Sequence, residues 1–448
     1  MNMKVFGKRR HDVMQHMGEG IAIIPTAPVR LRNRDVDYQF RPDSDFYYLT
    51  HFPEPEAVAV LVPGREHGEF ILFCRDRDPA REIWDGHRAG LQGACEVYGA
   101  DDAFPIDDID EILPGLMENR NKVFCNIGRY PEFDSRLMAW VNEVRAKTRS
   151  GVHAPGEFVD LEHILHEMRL YKDGEEIKLM RRSAKISAQG HRRAMQTCRP
   201  GMYEYQLEAE LLYEFTRNGS RYPAYPPIVG GGANGCVLHY IENSDVLRDG
   251  DLVLIDAGSE VDGYAADITR TFPVNGRFSA EQRALYEVVL AAQQAAIEKA
   301  RPGNHWNEPH EAAVRVIAEG LVEHKLLQGD VDRVIETEEY KRFYMHRTGH
   351  WLGMDVHDVG DYKVEDTWRL LEPGIAMTVE PGLYVAAELK GVPERWWNIG
   401  IRIEDDVVIN RDGCEVLSVD APKTIADIEE LMGERAEVAR SRASGSGI

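Results

Sequence analysis

Four carboxylates and one imidazole stand in segments of this chain that are otherwise too apolar, or too glycine-rich, for an ordinary solvated surface. They are Asp256 in LVLIDAG, Asp267 in GYAADITRTF, His350 in HRTGHWLGMDVHD, Glu380 in MTVEPGLY and Glu404 in GIRIEDDV. Any fold that buries those segments carries the acids inward with them. Buried carboxylates repel one another and give up hydration that an apolar core does not replace, so they persist only when paired or bound to metal. Two divalent cations would cancel the charge of the set. Hard oxygen donors with a single nitrogen suit Mn²⁺, Zn²⁺ or Co²⁺ better than a soft-metal or iron–sulfur site.

The spacing of these residues supports a shared cleft. Between Asp256 and Asp267 lie the turn formers Gly258, Asp262 and Gly263, so the two aspartates can face each other across an antiparallel hairpin. In GIRIEDDVVI, period-two alternation places Ile401 and Ile403 on one face and Arg402 and Glu404 on the other. Arg402 therefore points with Glu404 towards the site, where it can hold a ligand carboxylate in place. Glu380 precedes Pro381, which disfavours helix and leaves an extended backbone suited to a ligand at a strand end. Three histidines, His346, His350 and His357, crowd into MHRTGHWLGMDVHD, and His239 lies in GCVLHY. His346 and His350 have the i, i+4 spacing of helical zinc sites, but the general-base glutamate of HExxH is missing and Gly349 and Gly353 oppose a regular helix. By itself His239 reads as a hydrogen-bonded core histidine; its company of buried acids reverses that reading.

Composition narrows the function class. The 448 residues suffice for two or three domains. A formal charge of −23, from 76 acidic and 53 basic residues, argues against nucleic acid or an anionic membrane as partner. Cys74, Cys95, Cys125, Cys198, Cys236 and Cys414 form no CxxC pair and are read as reduced core thiols. The basic start at Lys4, Lys8, Arg9 and Arg10 is followed by polar HDVMQHMGEG rather than an apolar signal segment, and no membrane span is apparent, so a cytoplasmic location is expected.

An α/β domain is expected over 1–172, with strands at IAIIP, EAVAVLVPG, EFILFC and NKVFCNIG and a helix at SRLMAWVNEVRAKT. The second domain is expected over 173–435, opening on a long charged helix capped by Asp173, with 436–448 as a flexible tail. That second domain contains an internal echo. CRPG (198–201) is followed by YEYQLEAELLYEF and ARPG (300–303) by EPHEAAVRVIAEGL, each glycine standing past a helix end where positive φ is needed. Each helix pair is followed by β-like segments, and Ser279 with Gln282 fits a capping box before the second pair.

Other motifs carry less. GGGANG (230–235) lacks the lysine and spacing of a phosphate cradle and is read as a loop at the cleft. EDTWRLLEPG reads as a surface segment leading into a turn, and RWWNIG (395–400) as core or as a pocket wall. No GxSxG elbow exists for a serine nucleophile.

The ordered set Asp256, Asp267, His350, Glu380 and Glu404, with HWLGMDVHDVG and IRIEDD around it, resembles the pita-bread metallopeptidases, which include methionine aminopeptidase, prolidase and Xaa-Pro aminopeptidase. RPDSDFYYLTHFPEPEAVAVLVPG and REIWDGHRAG are similar to the amino-terminal domain of bacterial Xaa-Pro aminopeptidases. One departure is Gly349, where serine is common in the close bacterial relatives. The resemblance implies an α/β chain in which a mixed N-terminal domain precedes a pseudo-twofold catalytic domain with a curved antiparallel sheet. It implies two divalent ions, Mn²⁺ foremost with Zn²⁺ or Co²⁺ as alternatives: Asp256 would bind one, Asp267 and Glu404 would bridge both, and His350 and Glu380 would complete the other. A hydroxide between the metals would attack the peptide bond, Glu380 would also shuttle the proton, His239 and His357 would stabilise the oxyanion, and His346 would line the pocket near proline.

The bond before proline is a tertiary amide without N–H, so it needs a dedicated pocket. The activity implied is hydrolysis of the bond between an N-terminal residue and a following proline in peptides. The N-terminal domain would narrow the entrance, and Asp35 or Trp84 would reach a neighbouring subunit's cleft in a homodimer or homotetramer. The rival reading is a prolidase limited to Xaa-Pro dipeptides or also active on organophosphate esters; a catalytically silent binding module is disfavoured because all five ligands are present.

Overall fold

A computed structural model of the chain describes residues 2–387 and 389–433; the tail expected to be flexible lies outside the described residues. The chain forms two compact units that divide between Met168 and Arg169.

In the N-terminal unit six strands are β1 (Ile21–Pro25), β2 (Val58–Leu61), β3 (Phe70–Cys74), β4 (Asp102–Pro105), β5 (Lys122–Cys125) and β6 (Glu157–Asp160). They form one mixed sheet in the order β4-β3-β2-β1-β5-β6. The central strands are almost continuous apolar runs because both faces are covered. Ile21, Ile23, Val58, Val60, Ile71 and Phe73 pack with Leu137, Trp140, Val141 and Val144 of helix α1 (Pro131–Ala146) in one buried cluster. The four strands and the helix expected from sequence are all present.

The second unit repeats one order of elements. Helices α2 (Gly174–Thr197) and α3 (Glu204–Arg217) precede a three-stranded antiparallel sheet of β7 (Ile228–Gly231), β8 (Leu252–Asp256) and β9 (Thr269–Pro273), with β8 central. Helices α4 (Ala280–Lys299) and α5 (Glu308–Glu323) then precede β10 (Ala376–Val379), β11 (Gly382–Val385), β12 (Ile399–Arg402), β13 (Asp405–Ile409) and β14 (Cys414–Val416). Strand β13 lies between β10 and β14, while β11 pairs with β12. One core runs through both halves, joining Ile186, Leu211 and Phe215 to Val253 and Ile255, and Leu285, Val289 and Ile317 to Met377, Leu383 and Ile401.

Local sequence explains the helix starts. Asp173 accepts the backbone N–H groups of Glu175 and Glu176, and Glu176 returns a bond to the Asp173 N–H. Ser279 and Gln282 make the same reciprocal cap on α4. Gly201 and Gly303 have φ of +88° and +85°, a left-handed conformation that a side chain disfavours. Two features depart from expectation, and of the two readings of RWWNIG the core one holds. GIRIEDDVVI is two strands rather than one. Trp396 belongs to the core and Trp397 packs against it, so RWWNIG is no wall of the cavity described below. All six cysteines are free, but Cys95, Cys236 and Cys414 are only partly buried.

Replacing Asp173 with alanine removes both cap bonds. Urea denaturation is expected to show a loss of about 1 kcal/mol, with Asp173→Ser losing less.

Candidate metal centre

The five ligand candidates meet at interruptions in the sheets. The β10–β13 ladder ends at the pair Val379 and Asp405, and the β11–β12 ladder resumes at Gly382 and Arg402. The residues left over are Glu380 and Pro381 on one side and Ile403 and Glu404 on the other. Pro381 has no N–H to continue the ladder. The break turns both acids out of the pairing pattern: the Glu380 N–H donates to the Thr348 carbonyl and the Glu404 N–H to the Thr269 carbonyl. The first half supplies the aspartates. Asp256 ends β8 in register with Thr269, and Asp267 lies two residues before β9 rather than directly opposite.

Asp256, Asp267, His239, His346, His350, His357, Glu380, Arg402 and Glu404 all line one cavity of about 290 Å³. Every site residue expected from sequence is therefore in one place. Asp256, Asp267, Arg402 and Glu404 are 8%, 5%, 4% and 1% exposed, so they have little access to bulk solvent. Donor atoms of Asp267, His350 and Glu404 lie within 4.8 Å of one another, close enough for one ion.

Four carboxylates share this cavity, and of the two arginines that line it Arg402 bonds to one of them. Arg402 donates to Asp256 Oδ2 at 2.7 Å, to the Tyr384 hydroxyl at 2.9 Å and to Thr269 Oγ1 at 3.1 Å. Arg402 alone cannot balance four anions, and the protonation equilibria register the excess. Burial and then the neighbouring acids push Glu404 well above the ordinary carboxylate range. Burial and then Asp267 raise Asp256. Burial raises Glu380 to about 7, with His350 opposing and Asp267 adding to the rise. Asp267 moves the other way: burial works against ionisation, but the His350 hydrogen bond and charge hold it low. For His350, burial disfavours the charged form, yet the bond to Asp267 and the nearby charges raise it to about 9.

The His350 ring fits a metal-ligand role. Nδ1 faces the Trp351 carbonyl at 2.9 Å, and a carbonyl only accepts, so Nδ1 carries the hydrogen. That leaves Nε2 directed at Asp267 Oδ2 and Glu380 Oε1, at 3.4 and 3.5 Å. A cation there would take the Nε2 lone pair and the carboxylate oxygens together. The donor set and its uncompensated charge thus suit divalent ions.

The remaining histidines have different settings. His346 donates through Nδ1 to the Arg347 carbonyl and accepts at Nε2 from Tyr384 O–H, 2.8 Å away. Tyr384 in turn accepts from Arg402, so arginine, tyrosine and histidine are held as a chain. Burial lowers His346 to about 3, keeping it neutral. The His357 ring lies 4.3 Å from that of His350 and is lowered by burial and by that neighbour. Beside it, Asp358 is fixed by Lys172 at 2.8 Å and Arg169 at 2.7 Å, all three buried. His239 follows the 230–235 turn and reaches the cavity with Leu238. At Gly349 a Cβ would stand 2.1 Å from the Thr378 carbonyl oxygen, so a serine there requires a shift of the His346–His350 segment.

Sequence reasoning missed Tyr225, whose hydroxyl lies 2.6 Å from Asp256 Oδ1 and 2.5 Å from Asp267 Oδ1. It also missed Thr269, which donates to Glu404 Oε2 at 2.6 Å, and Asp406, which accepts the Asp267 N–H. Tyr225 and Thr269 carry no charge to mark them, whereas Asp406 is an acid in the apolar run GIRIEDDVVI and had the same signal as Glu404.

Comparison with known proteins agrees with this geometry. Residues 178–411 match the model of metallopeptidase family M24, and 6–124 match the aminopeptidase P N-terminal domain. The chain is 46% identical to Xaa-Pro aminopeptidase of Escherichia coli K12, over 95% of this chain and 97% of that protein. It is 33% identical to human Xaa-Pro aminopeptidase 3, over 96% and 86%. The structure of Pseudomonas aeruginosa aminopeptidase PepP superposes with a TM-score of 0.97 at 59% identity, covering 98% of this chain and 99% of that one. Escherichia coli aminopeptidase P with the inhibitor Pro-Leu gives 0.95 at 45%, with the same coverage.

The unusual protonation equilibria yield a test. Glu380 is raised from 4.5 to about 7 and His350 from 6.5 to about 9. In both cases the folded, metal-free protein holds a proton that the unfolded chain has released, so stability falls as pH rises across these windows. The melting temperature of chelator-treated protein should therefore decline from about pH 5 to pH 9. Added Mn²⁺ should reverse the decline most strongly at the alkaline end, with proton release on binding visible by calorimetry in two buffers.

Proposed function

The chain belongs to metallopeptidase family M24, and from that premise we propose how its residues work as an Xaa-Pro aminopeptidase, a hydrolase that removes an N-terminal residue followed by proline. Convergence of Asp256, Asp267, His350, Glu380 and Glu404 on one cavity is the observation that carries the reading. The aminopeptidase P N-terminal domain favours this activity over a dipeptide-limited prolidase.

Asp256 would hold one divalent cation, Asp267 and Glu404 both, and His350 and Glu380 the second; Mn²⁺ is the proposed metal, with Zn²⁺ and Co²⁺ as alternatives. When bound, the cations supply Lewis acidity, which makes water nucleophilic near neutral pH and polarises the scissile carbonyl. Glu380 lines the cavity beside His350 and Asp267 and, as a carboxylate once the cations are held, is placed to accept a proton from the attacking water and pass it on. The destination is the proline nitrogen, which has no hydrogen in the peptide and must gain one to leave as a secondary amine. His239 and His357 face the cavity as donors to the developing oxyanion. Arg402 keeps Asp256 oriented, and its bond to Tyr384 fixes neutral His346 on the wall assigned to proline.

The N-terminal unit is assigned substrate restriction and assembly contacts. Ile83 and Trp84 are 82% and 83% exposed there, unusual for large apolar side chains, and Asp35 is also exposed. A homo-oligomer, dimer or tetramer, would cover them. A cytoplasmic setting fits the six free cysteines, and no helix among the described residues is long and apolar enough to cross a membrane.

With Mn²⁺ present, mass spectrometry of Xaa-Pro-Xaa peptides should show release of the first residue alone, with Xaa-Pro dipeptides turned over far more slowly. Turnover restricted to dipeptides would establish the prolidase reading instead. Asp267→Ala should abolish detectable turnover, and His357→Ala should lower kcat by roughly 10²- to 10³-fold, the range for losing one oxyanion donor. Light scattering should give a multiple of the 50.8 kDa chain mass, reduced towards one chain in Trp84→Asp.

A further inference from the structure

Beside the metal centre lies a second concavity that the chemistry above leaves unused. A groove of about 630 Å³ is lined by Trp306, Arg347, Gly349, Asp361, Lys363 and Trp368, among others. Arg347 and Gly349 also line the cavity holding the ligand candidates, so the two spaces adjoin across the segment from His346 to His350. The outer wall is a short hairpin, Lys363–Val364 paired with Thr367–Trp368. It is anchored from below: His305 bonds the Trp368 carbonyl at 2.6 Å, and Arg369 Nε donates to the Asp361 carbonyl at 2.7 Å.

Two cations lie over the indole of Trp368. Lys363 Nζ is 4.6 Å and Arg347 Cζ is 5.1 Å from the ring centroid. Both residues are exposed, and among the described residues neither forms an ion pair with a carboxylate. Elsewhere the chain has acids to spare, with a net charge of −23. Stacking on the ring restrains both side chains while leaving their N–H donors free, which lessens the entropy lost on binding an anion. Among the described residues the acid lining the groove is Asp361, which opposes an anionic ligand and tempers the site.

We propose that this groove receives the part of a peptide substrate beyond proline, and that Arg347 and Lys363 bind the C-terminal carboxylate of short peptides. The inference rests on the reading of the cavity as an Xaa-Pro aminopeptidase site. In that reaction a single residue lies on the amino side of the scissile bond, so all remaining length extends on the proline side. A groove adjoining the cavity is the path for that length, and a carboxylate matches the free N–H groups at its wall. Because an extended chain advances at most about 3.3–3.6 Å per residue, only peptides of a narrow length range place their terminus there.

The test compares KM for Xaa-Pro peptides of three to six residues, each as the free acid and as the C-terminal amide, using Mn²⁺-loaded full-length enzyme. At the matching length the acid should show a KM roughly 3- to 10-fold lower than the amide, as expected for two partly exposed ion pairs. The ratio should shrink with added NaCl, approach unity in the Arg347→Gln/Lys363→Gln double variant and widen in Asp361→Asn. Equal KM values for acid and amide at every length would overturn the proposal. So would a preference that survives in the double variant, or one that follows an internal Asp or Glu rather than the free terminus. Failure to cleave any Xaa-Pro peptide would instead overturn the assigned reaction, so the two failures are distinguishable.

Discussion

Four carboxylates held out of water, with Arg402 bonded to one of them, impose the central condition on the second unit. Asp256 is bonded to Arg402 and Tyr225, Asp267 to Tyr225 and His350, and Glu404 to Thr269, yet burial and the neighbouring acids still raise Glu404, Asp256 and Glu380 above the ordinary carboxylate range. Such a cluster destabilises a fold unless cations complete it. Energy that would otherwise be lost on burial is recovered when metal binds, which couples the integrity of the unit to the readiness of the site for hydrolysis.

The architecture meets that condition by placing ligands where the sheets stop pairing. A side chain inside a regular ladder alternates strictly between faces. Glu380 and Glu404 escape this alternation because Pro381 interrupts one strand and the partner strand breaks opposite it, at Ile403 and Glu404. Each freed backbone N–H is satisfied by a carbonyl of another segment, Thr348 or Thr269, so the interruption leaves neither donor unpaired. The bonds also tie the second sheet to the histidine segment and to β9 of the first sheet. Both halves of the repeated arrangement thereby contribute to one site.

Around the ligands the polar side chains are arranged by donor and acceptor logic. The carbonyls of Trp351 and Arg347 fix a hydrogen on Nδ1 of His350 and His346, so that Nε2 of neutral His346 accepts while Nε2 of His350 faces Asp267 and offers a lone pair once its proton is released. One is available to metal, while the other is taken by Tyr384. The difference explains why two histidines four residues apart are not equivalent. Arg347 lies between them and turns away, towards Trp368 and the neighbouring groove. The same short segment therefore shapes both the reacting centre and the path for the rest of a peptide.

The sequence alone determined the two-part α/β organisation, the capped helices at Asp173 and Ser279, and the identity of the residues lining the cavity. These were legible because burial patterns, caps and acids in apolar runs are local signals, and because the motifs around them resemble a known family. The tertiary structure decided what depends on distant contacts. It separated GIRIEDDVVI into two strands, took Trp396 into the core, set Asp256 opposite Thr269 rather than Asp267, and brought Tyr225 between two aspartates. It also placed Arg347 and Lys363 over one indole beside the cavity. A neutral tyrosine or a surface cation has no distinctive pattern along the chain; its role depends on which remote groups come within hydrogen-bonding or stacking distance, and only folding sets those distances.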